Sequence, residues 1–334
     1  LGLDVGKADY VVALAGNPNM GKSTVFNNLT GLRQHTGNWP GKTVTRAEGA
    51  FSFGGSAYML VDLPGTYSLL ATSTDEEVAR DFLLFGQPDV TVIVVDACRL
   101  ERNLNLALQI LEITGRVVIC VNLMDEARRH RLAVDTQRLA SELGVPVAPT
   151  AARYRTGMDT LLQTIARVAT GATVGEPRRT WSQSAELGRV VDELVHQLQE
   201  VFPGLPNARW VALRLLDGDE RIRRAVAGGE LGELGPAATA MAPATGANGQ
   251  RAPVNQERIG ELLSAAARLR WTAGPHLHQT LVEDAYIEAA RIADVVVRPT
   301  PGASPATWDR KLDRLLTSRW TALPIMVALL AAVL

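Results

Sequence analysis

The stretch that most restricts the fold of this chain is the octet from Gly16 to Ser23, which reads GNPNMGKS. It has the form G-x-x-x-x-G-K-S, follows the β-rich run YVVALA at 10–15 and opens the helical pattern STVFNNL. A glycine-rich turn between a strand and a helix lets backbone N–H groups wrap a phosphate. We expect Lys22 to reach the β- and γ-phosphate oxygens and the Ser23 hydroxyl to bind Mg²⁺. The loop residues that we expect to bind a nucleotide are Gly16, Asn17, Asn19, Gly21, Lys22, Ser23 and Thr24.

The chain of 334 residues is long enough for about two domains. Residues 10–172 alternate short β-rich runs with helical patterns, which predicts an α/β domain with a mostly parallel sheet. The predicted strands are 10–15, 57–62, 91–96, 117–122 and 145–149. From 180 to 298 apolar residues recur at helical spacing, which predicts a second, small all-α domain. Within it, 227–253 is rich in Gly, Ala and Pro and is predicted to be a flexible insertion.

Two further motifs close predicted strands of the first domain. Asp62-Leu-Pro-Gly65 offers a carboxylate that can hold Mg²⁺ through water and a Gly65 N–H that can meet a γ-phosphate. Asn122-Leu-Met-Asp125 offers the Asp125 carboxylate, which can accept two bonds from the guanine N1–H and exocyclic amine. Adenine lacks that donor pair, so this motif favours guanine nucleotides. A solvated helix cap is the alternative for these four residues.

The last 15 residues, 320–334, read WTALPIMVALLAAVL and carry no charge. Arg310, Lys311, Arg314 and Arg319 precede them, which is typical of the cytoplasmic flank of a membrane helix. We therefore expect 299–319 to be a linker with a basic flank, 320–334 to begin a transmembrane helix, and the rest to be cytoplasmic. Because the first residue is Leu1, we expect a piece of a longer chain. The alternative is a C-terminal core helix of a soluble domain.

Overall charge and cysteine content argue against several classes of protein. Lys and Arg (34) nearly balance Asp and Glu (35), and this absence of a basic excess argues against nucleic acid as a partner. Two cysteines cannot build a disulfide framework or a Cys-rich zinc site, so we expect a reducing compartment.

The order GNPNMGKS, DLPG and NLMD resembles the GTPase branch of the P-loop proteins. Three stretches resemble one family within that branch, the ferrous iron transport protein B (FeoB) family. They are HTGNWPGKTV at 35–44, DACRLERNL at 96–104 and LDRLLTSRWTALPIMV at 312–327. The resemblance covers nearly the whole chain and leaves out the membrane transport domain.

This resemblance implies a P-loop GTPase domain, a helical regulatory domain and the beginning of a transmembrane helix. It implies a GTP- and GDP-binding, Mg²⁺-dependent switch that gates or drives Fe²⁺ uptake at the bacterial inner membrane, on the cytoplasmic side. The implied partners are guanine nucleotide, the chain's own membrane transport domain and a small accessory Feo-type protein. The residues that handle iron are not in this sequence.

The resemblance also assigns residues. Thr43 is implied to be the switch threonine that completes Mg²⁺ coordination together with Ser23 and Asp62, and Asn19 to help hold K⁺ beside the phosphates. Lys22, Thr43 and Asn19 are thus the residues expected to act in hydrolysis.

Lys42 and the stretch 149–152 depart from the family pattern, and Thr66 differs from the residue found in Ras-like enzymes. Lys42 stands where Val is common, and 149–152 read Pro-Thr-Ala-Ala, which leaves the Ala151 and Ala152 N–H groups for guanine without a side-chain brace. The residue after the DLPG motif is Thr66 and not the Gln that orients water in Ras-like enzymes, so we predict slow intrinsic hydrolysis.

Two other functions remain open at the level of sequence. A soluble ribosome-assembly GTPase with an apolar C-terminal helix would require a basic RNA-binding domain after the GTPase domain. An ATP-dependent kinase or transporter ATPase would not need the Asp125 carboxylate for base reading.

Overall fold

The computed structural model describes residues 8–31, 34–39, 42–70, 73–177, 185–205, 207–234, 256–273 and 277–300. Nine strands lie within these ranges: β1 Tyr10–Gly16, β2 Gln34–Asn38, β3 Thr45–Phe53, β4 Ser56–Asp62, β5 Val90–Asp96, β6 Val117–Asn122, β7 Leu132–Val134, β8 Val147–Pro149 and β9 Val297–Pro299.

Eleven α-helices lie in the same described ranges. They are α1 Lys22–Thr30, α2 Thr74–Phe85, α3 Leu100–Ile113, α4 Met124–Arg129, α5 Thr136–Leu143, α6 Met158–Ala169, α7 Ala185–Val201, α8 Ala208–Asp217, α9 Glu220–Ala227, α10 Gln256–Ala273 and α11 Leu277–Val296. Two short 3₁₀ helices span Ala152–Tyr154 and Glu230–Glu233.

The main sheet has the strand order β2-β3-β4-β1-β5-β6-β8. From β4 to β8 neighbouring strands are parallel, whereas β2, β3 and β4 form an antiparallel edge. All seven residues of β5, VTVIVVD, are buried. Such a continuous apolar run suits a parallel strand covered by helices on both faces.

Alternate residues of each strand point to opposite faces of the sheet and build two separate apolar cores. Val12 and Leu14 of β1 pack with residues of α1 and α6. Ala13 and Ala15 belong to the opposite core, which contains α2, α3 and α5 and continues into the helices after 185. The second domain is therefore joined to the sheet domain by a shared apolar core.

The last helix of the second domain packs against the first domain. Helices α7, α8 and α10 pack together, while α11 lies along α3 and also contacts α5. After α11 the chain forms β9, which pairs antiparallel with β7. A polar contact reinforces the return, since Arg291 of α11 bonds Glu142 of α5 at 2.9 Å.

A buried arginine joins the two domains at α2. Arg80 is 1% exposed, and its Nη1 donates to Asp219 Oδ2 at 2.9 Å. Asp219 is also the N-cap of α9, because its other oxygen accepts from the backbone N–H groups of Arg221 and Ile222. Arg221 in turn contacts Asp81, the neighbour of Arg80. The helix that follows the DLPG motif is thus held to the second domain by a network of charges.

The structure corrects several boundaries. Strands β2, β3, β7 and β9 were not predicted, and β8 begins at Val147 and not at 145. The beginning of the predicted insertion is folded, because Leu231 and Leu234 are buried beside α9. Those two leucines supply the apolar anchors that the Gly- and Ala-rich composition concealed.

Residues 235–253 of the insertion and 301–334, including the predicted membrane helix, lie outside the described residues. Among the helices that are described, none combines the length and the apolar character needed to cross a bilayer.

Candidate functional site

The phosphate-loop sequence forms the predicted strand-to-helix turn, with β1 ending at Gly16 and α1 beginning at Lys22. Both of its glycines are required by geometry. A Cβ on Gly16 would lie 2.6 Å from the carbonyl oxygen of Val94. Gly21 has φ 77°, and a Cβ there would lie 2.5 Å from Asn122 Nδ2. The loop therefore packs so closely against β5 and β6 that side chains at these two positions would displace it.

Lys22 and Asp62 form an ion pair at the carboxyl ends of β1 and β4. The Lys22 ammonium also donates to the Leu63 carbonyl oxygen at 2.6 Å. Burial raises the pKa of the Asp62 carboxyl above its usual range, and the neighbouring Lys22 charge opposes that rise. The structure thus brings together the two charged groups that the sequence assigns to the phosphates and to Mg²⁺.

Asn122 connects three loops of the site. Its Nδ2 donates to the Met20 carbonyl oxygen in the phosphate loop at 3.0 Å. Its Oδ1 accepts from the Ala152 N–H at 3.0 Å and from the Thr150 hydroxyl at 3.1 Å. Asn122 is 1% exposed, so all three hydrogen bonds are shielded from water. The Asn122–Asp125 motif, the phosphate loop and the 149–152 loop are therefore fixed to one another.

Asp125 lies in the first turn of α4 and is partly buried. Its contact with Arg129 is long, at 3.7 Å, which leaves the carboxylate able to accept other donors.

The two alanines of the 149–152 loop already have partners. The Ala151 N–H donates to the Thr156 carbonyl oxygen and the Ala152 N–H to Asn122. A bond from either N–H group to guanine would therefore have to replace, or share, an existing one.

The two asparagines of the phosphate loop occupy different environments. Asn17 is 1% exposed, and neither atom of its amide has a hydrogen-bond partner within the described part of the chain. A buried amide without a partner costs about 1–3 kcal/mol, so this position is suited to a bound polar group. Asn19 is exposed and has φ 67°, a left-handed conformation that Asn tolerates better than most residues.

Ser23, Thr24 and Gly65 are arranged around the same edge of the sheet. Ser23 and Thr24 are exposed in the first turn of α1. Gly65 lies against Pro18 of the phosphate loop, since a Cβ on Gly65 would come within 3.4 Å of it. A hydroxyl and a carboxylate beside a phosphate loop are the oxygen ligands that Mg²⁺ prefers. The residues present fit that ion.

Thr43 is not brought to this edge by any contact in the described residues; it is exposed in the turn before β3. Residues on either side of Thr43 hold this turn against α2 instead. Lys42 pairs with Glu77 of α2 at 2.8 Å, and Trp39, 4% exposed, packs edge-on against Phe82 of α2. Trp39 is therefore a packing anchor that holds this turn against α2.

Sequence reasoning missed three polar side chains that position the site. Thr150 braces Asn122, and Asn28 of α1 donates to the Ala152 carbonyl oxygen at 2.6 Å. Gln109 of α3 accepts from the Leu69 N–H at 2.7 Å and so anchors the chain after the DLPG motif. Only Gln109 carried a local signal, because it is a polar residue within the apolar run LALQILEI.

Comparison with known proteins points to the same family as the sequence motifs. The family model described as "Ferrous iron transport protein B" matches residues 10–165. The chain is 35% identical over 321 residues to "Fe(2+) transporter FeoB" of Salmonella typhimurium, covering 95% of this chain and 37% of the relative. It therefore spans little more than a third of the length of the curated relatives that it matches.

Solved structures of cytosolic domains match the fold. The cytosolic domain of L. pneumophila FeoB superposes with a TM-score of 0.67 at 30% identity, covering 86% of this chain and 99% of that one. The cytosolic domain of the T. maritima FeoB iron transporter in a GDP form gives a TM-score of 0.66 at 30% identity, covering 86% and 98%.

Proposed function

The chain belongs to the ferrous iron transport protein B family, and from that premise we propose that residues 10–172 are the GTP-binding, slowly hydrolysing switch of a membrane Fe²⁺ transporter. The observation that carries this proposal is the position of Asn122, whose amide bonds the phosphate loop on one side and the 149–152 loop on the other. This arrangement sets Asp125 at a fixed distance from the phosphate loop, as the reading of a guanine nucleotide requires.

Nucleotide binding rearranges the charges of the site. The Lys22 ammonium leaves Asp62 and Leu63 for the phosphate oxygens, while Ser23 and Asp62 are the residues that would hold Mg²⁺. When bound, Mg²⁺ neutralises charge on the phosphates. The phosphate-loop N–H groups orient the chain of phosphates, and the unpartnered Asn17 amide is placed to bond either the nucleotide or a water beside it.

The proposed slow hydrolysis rests on residue 66, where the part of the chain that the structure describes offers no side chain to orient the attacking water. Thr66, which follows the DLPG motif, is 5% exposed and faces the protein interior. In Ras-like enzymes a Gln has that task. Thr43 is exposed and forms no hydrogen bond to the site within the described residues, so its proposed role at Mg²⁺ requires the turn at 42–44 to move when the γ-phosphate is present.

We extend the proposal to K⁺ at Asn19, where a cation would stabilise negative charge in the transition state. Asn19→Gly is the sharper test than Asn19→Ala, because Gly accepts φ 67° without strain and only the side chain is lost. Asn19→Gly should abolish stimulation of GTP turnover by KCl over NaCl and leave the rate in NaCl unchanged. Stimulation that survives in this variant would remove Asn19 from the cation site.

At the level of the whole protein, we propose that 320–334 begins the membrane domain and that the described domains lie on the cytoplasmic side of the bacterial inner membrane. The charge network at Arg80 and Asp219 supports a helical domain that responds to the nucleotide state through α2. A small accessory Feo-type protein is part of the same proposal.

The experiment that tests base reading is Asp125→Asn. The substitution removes the two hydrogen bonds that guanine donates to the carboxylate. At about 1.5 kcal/mol for each hydrogen bond, GDP binding should weaken by roughly 10²-fold. Binding of xanthosine diphosphate should tighten, since its C2 oxygen replaces the amine and prefers a donor. Fluorescence titration with labelled diphosphates measures both affinities. Glu126→Gln, on the same helix, is the control and should leave the preference for guanine intact; an unaltered preference in Asp125→Asn would refute base reading by this carboxylate.

A further inference from the structure

Six exposed arginines lie on three connected segments of the structure, beside helix α4. Segments 124–134, 151–157 and 297–300 contain six arginines and two carboxylates, Asp125 and Glu126. All six side chains are exposed. The members of this arginine face are Arg128, Arg129, Arg131, Arg153, Arg155 and Arg298.

Contacts within the structure tie these segments into one surface. Arg129 Nη2 donates to the Tyr154 hydroxyl at 3.0 Å, and Arg153 lies over the ring of Tyr154 with its Cζ 5.9 Å from the centroid. Tyr154 is itself 53% exposed. Helix α4 and the 151–157 loop are therefore joined by an exposed aromatic ring flanked by guanidinium groups.

The same face is the place from which the chain leaves the described domains. Ala133 of β7 is paired with Arg298 of β9. One residue beyond β9, the Thr300 N–H donates to the Arg131 carbonyl oxygen at 2.9 Å. Residues 301–334 follow directly, and their sequence carries Arg310, Lys311, Arg314 and Arg319 ahead of fifteen uncharged residues.

We propose that the arginine face docks on the anionic lipid headgroups of the membrane. Exposed arginines with an exposed tyrosine match the chemistry of a bilayer interface, where cations meet lipid phosphates and aromatic rings lie at headgroup level. The inference rests on the proposed membrane attachment of 320–334. That attachment would favour this face as the one turned to the bilayer, since the described part of the chain ends at Thr300, which is bonded to Arg131.

Docking has a consequence for the switch. The arginine face is built on α4 and the 151–157 loop, which also carry Asp125 and Ala152. A lipid-bound face would hold the guanine side of the site still while the 42–44 turn and α2 remain free to respond to the phosphates.

The test compares two triple variants of the whole chain that change net charge equally. Arg128→Gln, Arg155→Gln and Arg298→Gln remove three members of the face and leave Arg129 with Tyr154 in place. Arg116→Gln, Arg167→Gln and Arg258→Gln are the control, because all three are exposed and lie elsewhere. Arg116 precedes β6, at the sheet edge opposite to α4.

The readout is the ratio of partition coefficients for mixed phosphatidylcholine–phosphatidylglycerol vesicles and pure phosphatidylcholine vesicles at low ionic strength. The ratio cancels the contribution of the apolar 320–334 segment, which both lipids accept. At roughly fivefold for each arginine near an anionic surface, the face variant should lower the ratio by about 10²-fold. The control triple should leave it near the wild-type value, and salt should lower the wild-type ratio.

Three results would overturn the proposal. One is a wild-type ratio close to unity, and another is an equal loss in the face and control triples. The third is tighter binding of the face to a polyuridylate RNA than to the mixed vesicles, which would make it a nucleic-acid surface. GDP affinity measured on the same samples separates the two proposals. Wild-type protein that binds GDP but ignores anionic lipid refutes only the docking, whereas protein that fails to bind GDP refutes the proposed switch.

Discussion

Replacing Arg80 by Met tests whether a buried ion pair holds α2 to the helical domain. The substitution keeps most of the side-chain volume and removes the charge. It leaves Asp219 Oδ2, on a side chain only 10% exposed, without its cation. An uncompensated buried charge costs about 3–5 kcal/mol. The other oxygen of Asp219 keeps two backbone donors, so we expect the free energy of unfolding to fall by about 2–3 kcal/mol.

A double-mutant cycle with Asp219→Asn isolates the pair, because Asn still caps α9 in the double variant. We expect a coupling energy of about 2 kcal/mol from urea titrations followed by tryptophan fluorescence. Trp39 in the first domain and Trp210 in the second are both buried, so the signal reports on each domain.

The matched control for this cycle is Arg116 with Asp89, an ion pair at 3.6 Å whose arginine is 63% exposed. Its coupling energy should lie below about 0.5 kcal/mol, as for other surface pairs. If the Arg80 cycle gives an equally small value, the charge network does not hold α2, and the shared apolar core alone joins the domains.

Two further predictions concern titrating side chains. Burial and the nearby Asp96 carboxylate raise the pKa of Cys98 to about 11, so at pH 8 iodoacetamide should alkylate Cys98 on the order of 10²-fold more slowly than an ordinary thiol. Asp96→Asn should lower that pKa and speed alkylation, as mass spectrometry of timed samples would reveal. The hydrogen bond from Arg291 lowers the pKa of Glu142 below its usual 4.5, so the pair stabilises the fold above that pH and loses its effect as acid protonates Glu142. Glu142→Gln should therefore flatten the acid limb of the stability curve below about pH 4.5, and a limb as steep as in the wild type would contradict the assignment.

The central strands were predicted well because their apolar runs are signals in the local sequence. Strands β1, β4 and β5 each extend one residue beyond the predicted run, and β6 matches it. Strands β2, β7 and β9 gave no such signal. β2, with the sequence QHTGN, has no apolar residue and exists because β3 offers it a partner. β7 and β9 are three residues each and meet only because α11 returns to the first domain.

The same difference separates the site residues that the sequence predicts from those that it does not. Lys22, Asp62 and Asn122 lie at the ends of buried strands, and parallel topology alone brings those ends to one edge of the sheet. The brace from Thr150 depends on the conformation of a loop that the sequence does not specify. The burial of Arg80 was equally hidden, because TDEEVARDFLLF gives no sign that its arginine faces a second domain.

The ion pair between Lys22 and Asp62 makes the site selective for the kind of anion that can bind there. With the lysine already neutralised by a buried carboxylate, the loop attracts stray anions such as inorganic phosphate only weakly. An anion arriving alone must take Lys22 and leave Asp62 unpaired at a position where burial already disfavours its charge. A phosphate chain that arrives with its own divalent cation supplies a partner to both residues at once. The ion pair thus favours a metal-bound phosphate chain over simple phosphate, because each of the two charges needs a new partner at the same time.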